Sequence, residues 1–273
     1  MNIVELVVRY ADLVTTIVLV GGVTYAAWVA PPTRSARRVL GFAAYLFAAA
    51  LLGELGLNAF HMHRVSGIGG MTLIADVLQM HWSRWWMLRC VALGMIAGGL
   101  WIDDPPWQWL GAIGIVSLVA RSFQGHAGAH GTTAAIMDWV HLGAAAVWVG
   151  GLAQLALASS VSSATAARAS RLFTIALGPL VVAGVYGALV HVSAVELLVT
   201  SAYGRVLVAK VSLAALAIGL GAMNHFRHVP ALAKGRGGAS LLRAVRAELV
   251  VAAVVLLLTA LLVSLPMPHV TTP

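Results

Sequence analysis

Residues 172–192, LFTIALGPLVVAGVYGALVHV, hold no charged residue over the roughly 20 residues that carry an α-helix across about 30 Å of hydrocarbon. The alternation over about 10 residues that marks a transmembrane β-strand is absent from the chain. Comparable apolar runs recur at about 4–30, 36–57, 83–102, 107–122, 134–158, 204–228 and 241–265. Across 273 residues, hydrophobic types make up 60% and charged types only 10%, against about 25% charged in a soluble domain. The expectation is all-α: a polytopic transmembrane helical bundle of about eight spans, forming a single integral membrane domain over residues 1–273.

The connectors orient these spans. The first, PPTRSARR at 31–38, carries Arg34, Arg37 and Arg38; the fifth carries Arg168 and Arg171; the seventh carries Arg227, Lys234, Arg236, Arg243 and Arg246. The positive-inside bias sends these odd-numbered connectors to the cytoplasm. Both termini are then expected in the periplasm, with the protein in a bacterial inner membrane. The formal charge of +8 is a topology signal on this reading and argues for a lipid bilayer, not nucleic acid, as the partner. MNIVELVVRYADLV at the start has no basic region ahead of its apolar stretch, so it reads as a retained first span. The only cysteine, Cys90, excludes an intramolecular disulfide and a CxxC metal site. Trp82, Trp85, Trp86, Trp101, Trp107 and Trp109 fall at span ends as an aromatic belt. Gly94 and Gly98 have the GxxxG spacing of close helix packing. The second connector, about 58–82, is the longest and includes an amphipathic stretch expected at the interface.

Orientation makes the histidines informative. Of ten, His61, His63, His81, His126, His130, His141, His191 and His269 fall toward the outer face. Imidazole is the commonest protein ligand for late transition metals. His126 and His130 stand four apart in GHAGAHG at 125–131. Asp138 and His141, three apart, share a helix face, where the carboxylate either orients the imidazole, ligates directly or caps the helix. His61-Met62-His63, with Met71, Met80 and His81 nearby and Met267-Pro268-His269 at the end, combines imidazole for Cu(II) with thioether for Cu(I). Glu54, inside span two, needs a partner, and Arg89, Arg121 and Lys210 are candidates. It reads equally as half of a structural ion pair or as part of a cation path. Glu5, Arg9 and Asp12 have the spacing of structural pairs within span one. His225 and His228, beside Asn224 at the inner end of span seven, suit a helix C-terminus, with inward cation release as the other reading. A GxxxxGK[ST] loop and an HExxH motif are both absent, which argues against an ATP-driven pump and a zinc protease of that type.

Several ordered segments resemble the CopD/PcoD copper-resistance membrane family. Asp138-Trp139-Val140-His141 running into Trp148-Val149-Gly150-Gly151-Leu152 is similar to its DxxH…WxGGL signature. Tyr203-Gly204-Arg205-Val206-Leu207-Val208-Ala209-Lys210 resembles its YGRxLxxK segment, Asn224 and Pro230 its N…P stretch, and Gly125-His126-Ala127 its GHA element. Arg84 to Arg89 resembles a weaker segment, and the likeness covers about 76–265. It implies a non-enzymatic inner-membrane protein for copper import and copper resistance, working with a periplasmic CopC-like carrier. It singles out His126, Asp138 and His141 as metal sites. With the residue reading added, the expected copper-ion site comprises His126, His130, Asp138, His141, His191 and Glu54, with His61 and His63 as outer capture ligands. Two rivals remain: a membrane redox protein holding b-type haem or quinone through paired histidines such as His141 and His191, and a copper-binding or sensing component that does not transport.

Overall fold

The computed structural model describes residues 3–125, 128, 130–192 and 194–265. Regular structure among them is helical throughout. The helices are α1 (Ile3–Trp28), α2 (Arg34–Ser66), α3 (Gly70–Gln79), α4 (His81–Leu100), α5 (Trp107–Gln124), α6 (Thr132–Ala156), α7 (Ser163–His191), α8 (Leu197–Thr200), α9 (Ala202–Ala233) and α10 (Gly238–Ser264). α6 and α9 each contain a π-helical turn, Ala146–Gly150 and Asn224–His228.

Local chemistry sets the boundaries. Pro31 and Pro32 precede α2, whose first turn is capped by Thr33 Oγ1 accepting from the Ala36 amide at 3.2 Å. Gly67, at φ 69°, closes its far end. Ser162 caps α7 and Ser201 caps α9 in the same way, accepting from the Thr165 and Gly204 amides at 3.1 and 2.9 Å. These caps start α7 at Ser163, earlier than the expected 172, so Arg168 and Arg171 ride on its first turns, not in a connector. α2 likewise runs past 57 to Ser66, which puts the His61-Met62-His63 triplet on an exposed helical extension. The amphipathic stretch of the second connector forms α3.

α1 is the hub. It packs against α2 and α5 on one side and against α6 and α10 on the other. α4 completes the first group through α2 and α5, while α7 lies on α6 and α9 lies on α10. The closest approach is between α1 and α6. A Cβ on Gly21 would stand 1.8 Å from the Ala146 carbonyl oxygen, and one on Gly150 would stand 2.3 Å from that of Ile17. Only glycine permits this backbone contact. Gly94 and Gly98, expected at a helix interface, instead meet open space. Gly99 is the packed member of that stretch, against Leu110.

Five described helices are long and apolar enough to cross a membrane: α2, α6, α7, α9 and α10. On α7, Ile175, Val182, Val185 and Leu189 are exposed, an outward apolar surface that suits lipid and not water. The protein is a multi-pass membrane protein. α1, α4 and α5 bring Asp12, Arg89 and Arg121 together inside the bundle.

Candidate functional site

The bundle interior holds three polar centres. The first joins α1, α2, α4 and α5. Asp12 and Arg89 are almost wholly buried. Asp12 takes Arg89 on one carboxylate oxygen and Arg121 on the other. Arg89 Nη1 also donates to Glu54 Oε2 at 2.9 Å and to Gln124 Oε1 at 2.7 Å, and its guanidinium lies 5.3 Å from the Phe47 ring centroid. Two carboxylates and two guanidiniums make the cluster neutral, the arrangement under which charges persist in low dielectric. Of the three partners expected for Glu54, Arg89 is the one that engages it, while Arg121 turns to Asp12. Glu5 and Arg9 form the expected pair within α1, at 2.5 Å, but Asp12 leaves it for the cross-helix network.

The second centre surrounds His141 on α6. Its Nδ1 lies 2.9 Å from the Leu180 carbonyl oxygen of α7. A carbonyl only accepts, so Nδ1 carries the hydrogen and Nε2 keeps its lone pair in the neutral ring. Gly184, one turn further along α7, makes room: a Cβ there would sit 3.0 Å from His141 Cε1 and 3.2 Å from Nδ1. Asp138 and Lys210 lie within electrostatic reach of the ring. α6 and α9 thus bring the aspartate and histidine of one motif near the lysine that ends the other.

The remaining expected ligands distribute differently. His130 is exposed in the turn before α6. His63 Nδ1 donates to the Ile68 carbonyl at 2.7 Å, leaving Nε2 as its lone-pair nitrogen on the exposed end of α2, and His61 is exposed beside it. Glu54 belongs to the Arg89 cluster. His126 and His269 lie outside the described residues, as does the His191 side chain at the end of α7. Among the described residues, no three His, Cys, Asp or Glu side chains converge as a metal site.

Of the third centre, the sequence motifs single out Trp148, Asn224, His225 and His228 but not Glu248. Glu248 of α10 is 1% exposed. Trp148 Nε1 donates to its Oε1 at 2.9 Å, and Asn224 Nδ2 donates to its Oε2 at 2.8 Å. Trp148 and Asn224 belong to the two π-helical turns, a local geometry that often marks functional positions. Asn224 Oδ1 accepts from His228 Nδ1 at 3.0 Å, and His225 Nδ1 lies 2.7 Å from Ser170 Oγ. A cavity of about 260 Å³ adjoins this group, lined by Glu248, Asn224, His225, Ser170 and Thr174 amid apolar side chains. The sequence signal for it was a lone glutamate inside the apolar run of α10.

Comparison with known proteins finds a family match in the second half of the chain. The family described as Copper resistance protein D, CopD, matches residues 163–262, from the start of α7 to near the end of α10. Copper transport protein CutJ of Bacillus subtilis (strain 168) is 30% identical over 162 residues, covering 55% of this chain and 29% of that protein. The chain therefore spans less than a third of the length of that relative. No solved structure matches. The Tyr203–Lys210 segment and Asn224 lie inside the family match, whereas Asp138 and His141 precede it on α6. Residues 163–262 are thus similar to the CopD family.

Proposed function

We propose that this protein carries copper across the bacterial inner membrane, from the periplasm toward the cytoplasm. The observation that carries the reading is His141. Its Nδ1–H is tied to the Leu180 carbonyl, the support that metal-ligating histidines ordinarily receive, and it leaves Nε2 free of a proton inside the bundle. The kinship with a copper transport protein supplies the identity of the metal.

In this scheme copper arrives from a CopC-like periplasmic carrier and meets His61 and His63 on the outer extension of α2. It passes to a site built from His126, His130, Asp138, His141 and His191. Asp138 offsets the charge of the ion, and Glu54 holds the adjoining Arg89 cluster neutral. The absence of a nucleotide motif leaves the copper gradient or a coupled ion as the driving force.

Reconstitution into copper-free proteoliposomes tests the scheme. Copper entry should exceed that of protein-free vesicles, and His141→Ala should return it to that background while membrane insertion is unchanged. Entry no faster than in empty vesicles overturns transport and leaves a binding or sensing component. A Soret band in the purified protein would favour the haem-binding alternative. Because a protonated imidazole has no lone pair to give, copper binding should weaken once pH falls far enough to protonate the ligating rings, and affinity that never falls with pH would point to thioether ligation instead.

A further inference from the structure

Glu248 is a buried carboxylate outside every ion pair seen among the described residues. The Asp12 cluster shows how this bundle treats a buried acid whose charge is permanent: guanidiniums meet it. Glu248 receives instead two neutral N–H donors, from Trp148 and Asn224. Those bonds fix the carboxyl group in space without cancelling a charge. A carboxylate at such depth, unmatched by a protein cation, is costly unless a cation from solution neutralises it.

The surroundings narrow the choice of cation. From α9, the titratable groups nearby are His225 and His228, engaged by Ser170 and by Asn224 Oδ1. α6 presents Trp148, and α7 presents Ser170 and Thr174 at the cavity wall. α1, which also packs on α10, contributes Tyr25 to the same buried cluster as Trp148 and Val245. Its charged residues are spoken for elsewhere: Glu5 and Arg9 by each other, Asp12 by Arg89 and Arg121. On α10 itself, Arg246 is exposed and donates to the Ala156 carbonyl at 3.2 Å. Among the described residues, Glu248 belongs to no group of three or more His, Cys, Asp or Glu that could hold a metal ion. A metal ion would find one carboxylate already engaged on both oxygens. A proton needs only one oxygen, and the adjoining cavity of about 260 Å³ has room for the water that delivers it.

We propose that Glu248 is a proton-binding site in the inner half of the bundle, and that its loading controls how readily a cation crosses that half. The proton moves between water in the cavity and one carboxylate oxygen, so loaded Glu248 is neutral and unloaded Glu248 is a single negative charge. The unloaded form attracts a departing copper ion, and the loaded form does not. The control step rests on the transport reading above; the proton site itself does not.

Two measurements separate them. In difference infrared spectra of the purified protein, titration should reveal a protonated-carboxyl band that shifts in D2O. Trp148→Phe should move that band by removing one hydrogen bond, and Glu248→Gln should remove it. Loss of Glu248→Gln to misfolding still leaves the Trp148→Phe shift to decide. A band indifferent to both changes, or no titrating carboxyl, overturns the proton site whatever the protein transports. In proteoliposomes, wild-type copper flux should fall about tenfold per pH unit once inner acidification has mostly protonated a single carboxyl. Glu248→Gln should be slow and flat. Wild-type flux indifferent to inner pH overturns the control step alone, whereas no flux at all indicts the transport reading and not the site. A lower copper stoichiometry in Glu248→Gln would make Glu248 a metal ligand and also overturn the proposal.

Discussion

At the scale of single residues, the decisive interaction is one that no motif encodes. His141 stands out in the sequence through its spacing from Asp138, but the carbonyl that fixes its tautomer is Leu180, 39 positions away on α7. A backbone acceptor leaves no trace in residue type. Gly184 shares this obscurity, since its role is to lack a side chain beside the ring. Gly184→Ala should therefore act on copper handling without touching a ligand. The added methyl would crowd His141 Cε1 at 3.0 Å, turning the ring and loosening a hydrogen bond worth about 1 kcal/mol. Copper flux in proteoliposomes should drop several-fold while the amount of inserted protein stays the same. Flux equal to wild type would mean that the Leu180 contact does not govern the site. Glu248 is a lone acid in the apolar run of α10, and its partners Trp148 and Asn224 lie 100 and 24 positions away, beyond any local spacing rule.

At the scale of helices, two different devices hold α1 in the centre. One is electrostatic: Asp12, Arg89, Glu54 and Arg121 tie four helices through a neutral cluster. Arg89→Met would strip Glu54 of its guanidinium and leave Asp12 with Arg121 alone, and removing one partner of a buried pair costs about 3–5 kcal/mol. Unfolding in a denaturing detergent series should register a loss of that size, whereas Arg9→Met, at the more exposed Glu5 pair, should barely move the midpoint. Equal effects of the two would show that burial does not decide the worth of these pairs. The other device is steric. Gly21 and Gly150 let the α1 and α6 backbones touch, and Gly150→Ala should cost about 1–3 kcal/mol by overpacking. The GxxxG spacing at Gly94 and Gly98 misses the packed glycine of α4, Gly99, because spacing marks a small-residue face and not what lies against it. The apolar runs, in contrast, located the principal helices well. Their ends drifted where a helix continues past the hydrocarbon, as α2 does to Ser66 and α7 does back to Ser163.

At the scale of the whole molecule, the open question is how many helices cross the membrane, and the Arg89 cluster supplies an argument. α1, α4 and α5 are not among the five helices long and apolar enough to cross by themselves, yet α4 and α5 hold Arg89 and Arg121 against Asp12 of α1. Charges paired inside the bundle no longer oppose insertion, so α1, α4 and α5 can cross despite their polar content. Crossing by all three would bring the five to the expected eight spans. Cys90 is the sole cysteine, so a Cys90→Ser background allows single reporter thiols. With an impermeant thiol reagent on intact spheroplasts, His63→Cys should react, while Arg236→Cys should react only after permeabilisation. Those two positions fall on opposite sides whether three or five helices cross between them. Asp104→Cys, between α4 and α5, discriminates. If both helices cross, it is protected together with Arg236→Cys; if neither does, it reacts together with His63→Cys. Labelling of Asp104→Cys from outside would return the protein to five or six spans. A reversed pattern at all three positions would invert the bundle, placing His61, His63 and His141 toward the cytoplasm and Glu248 toward the periplasm, so that import would have to be read as export.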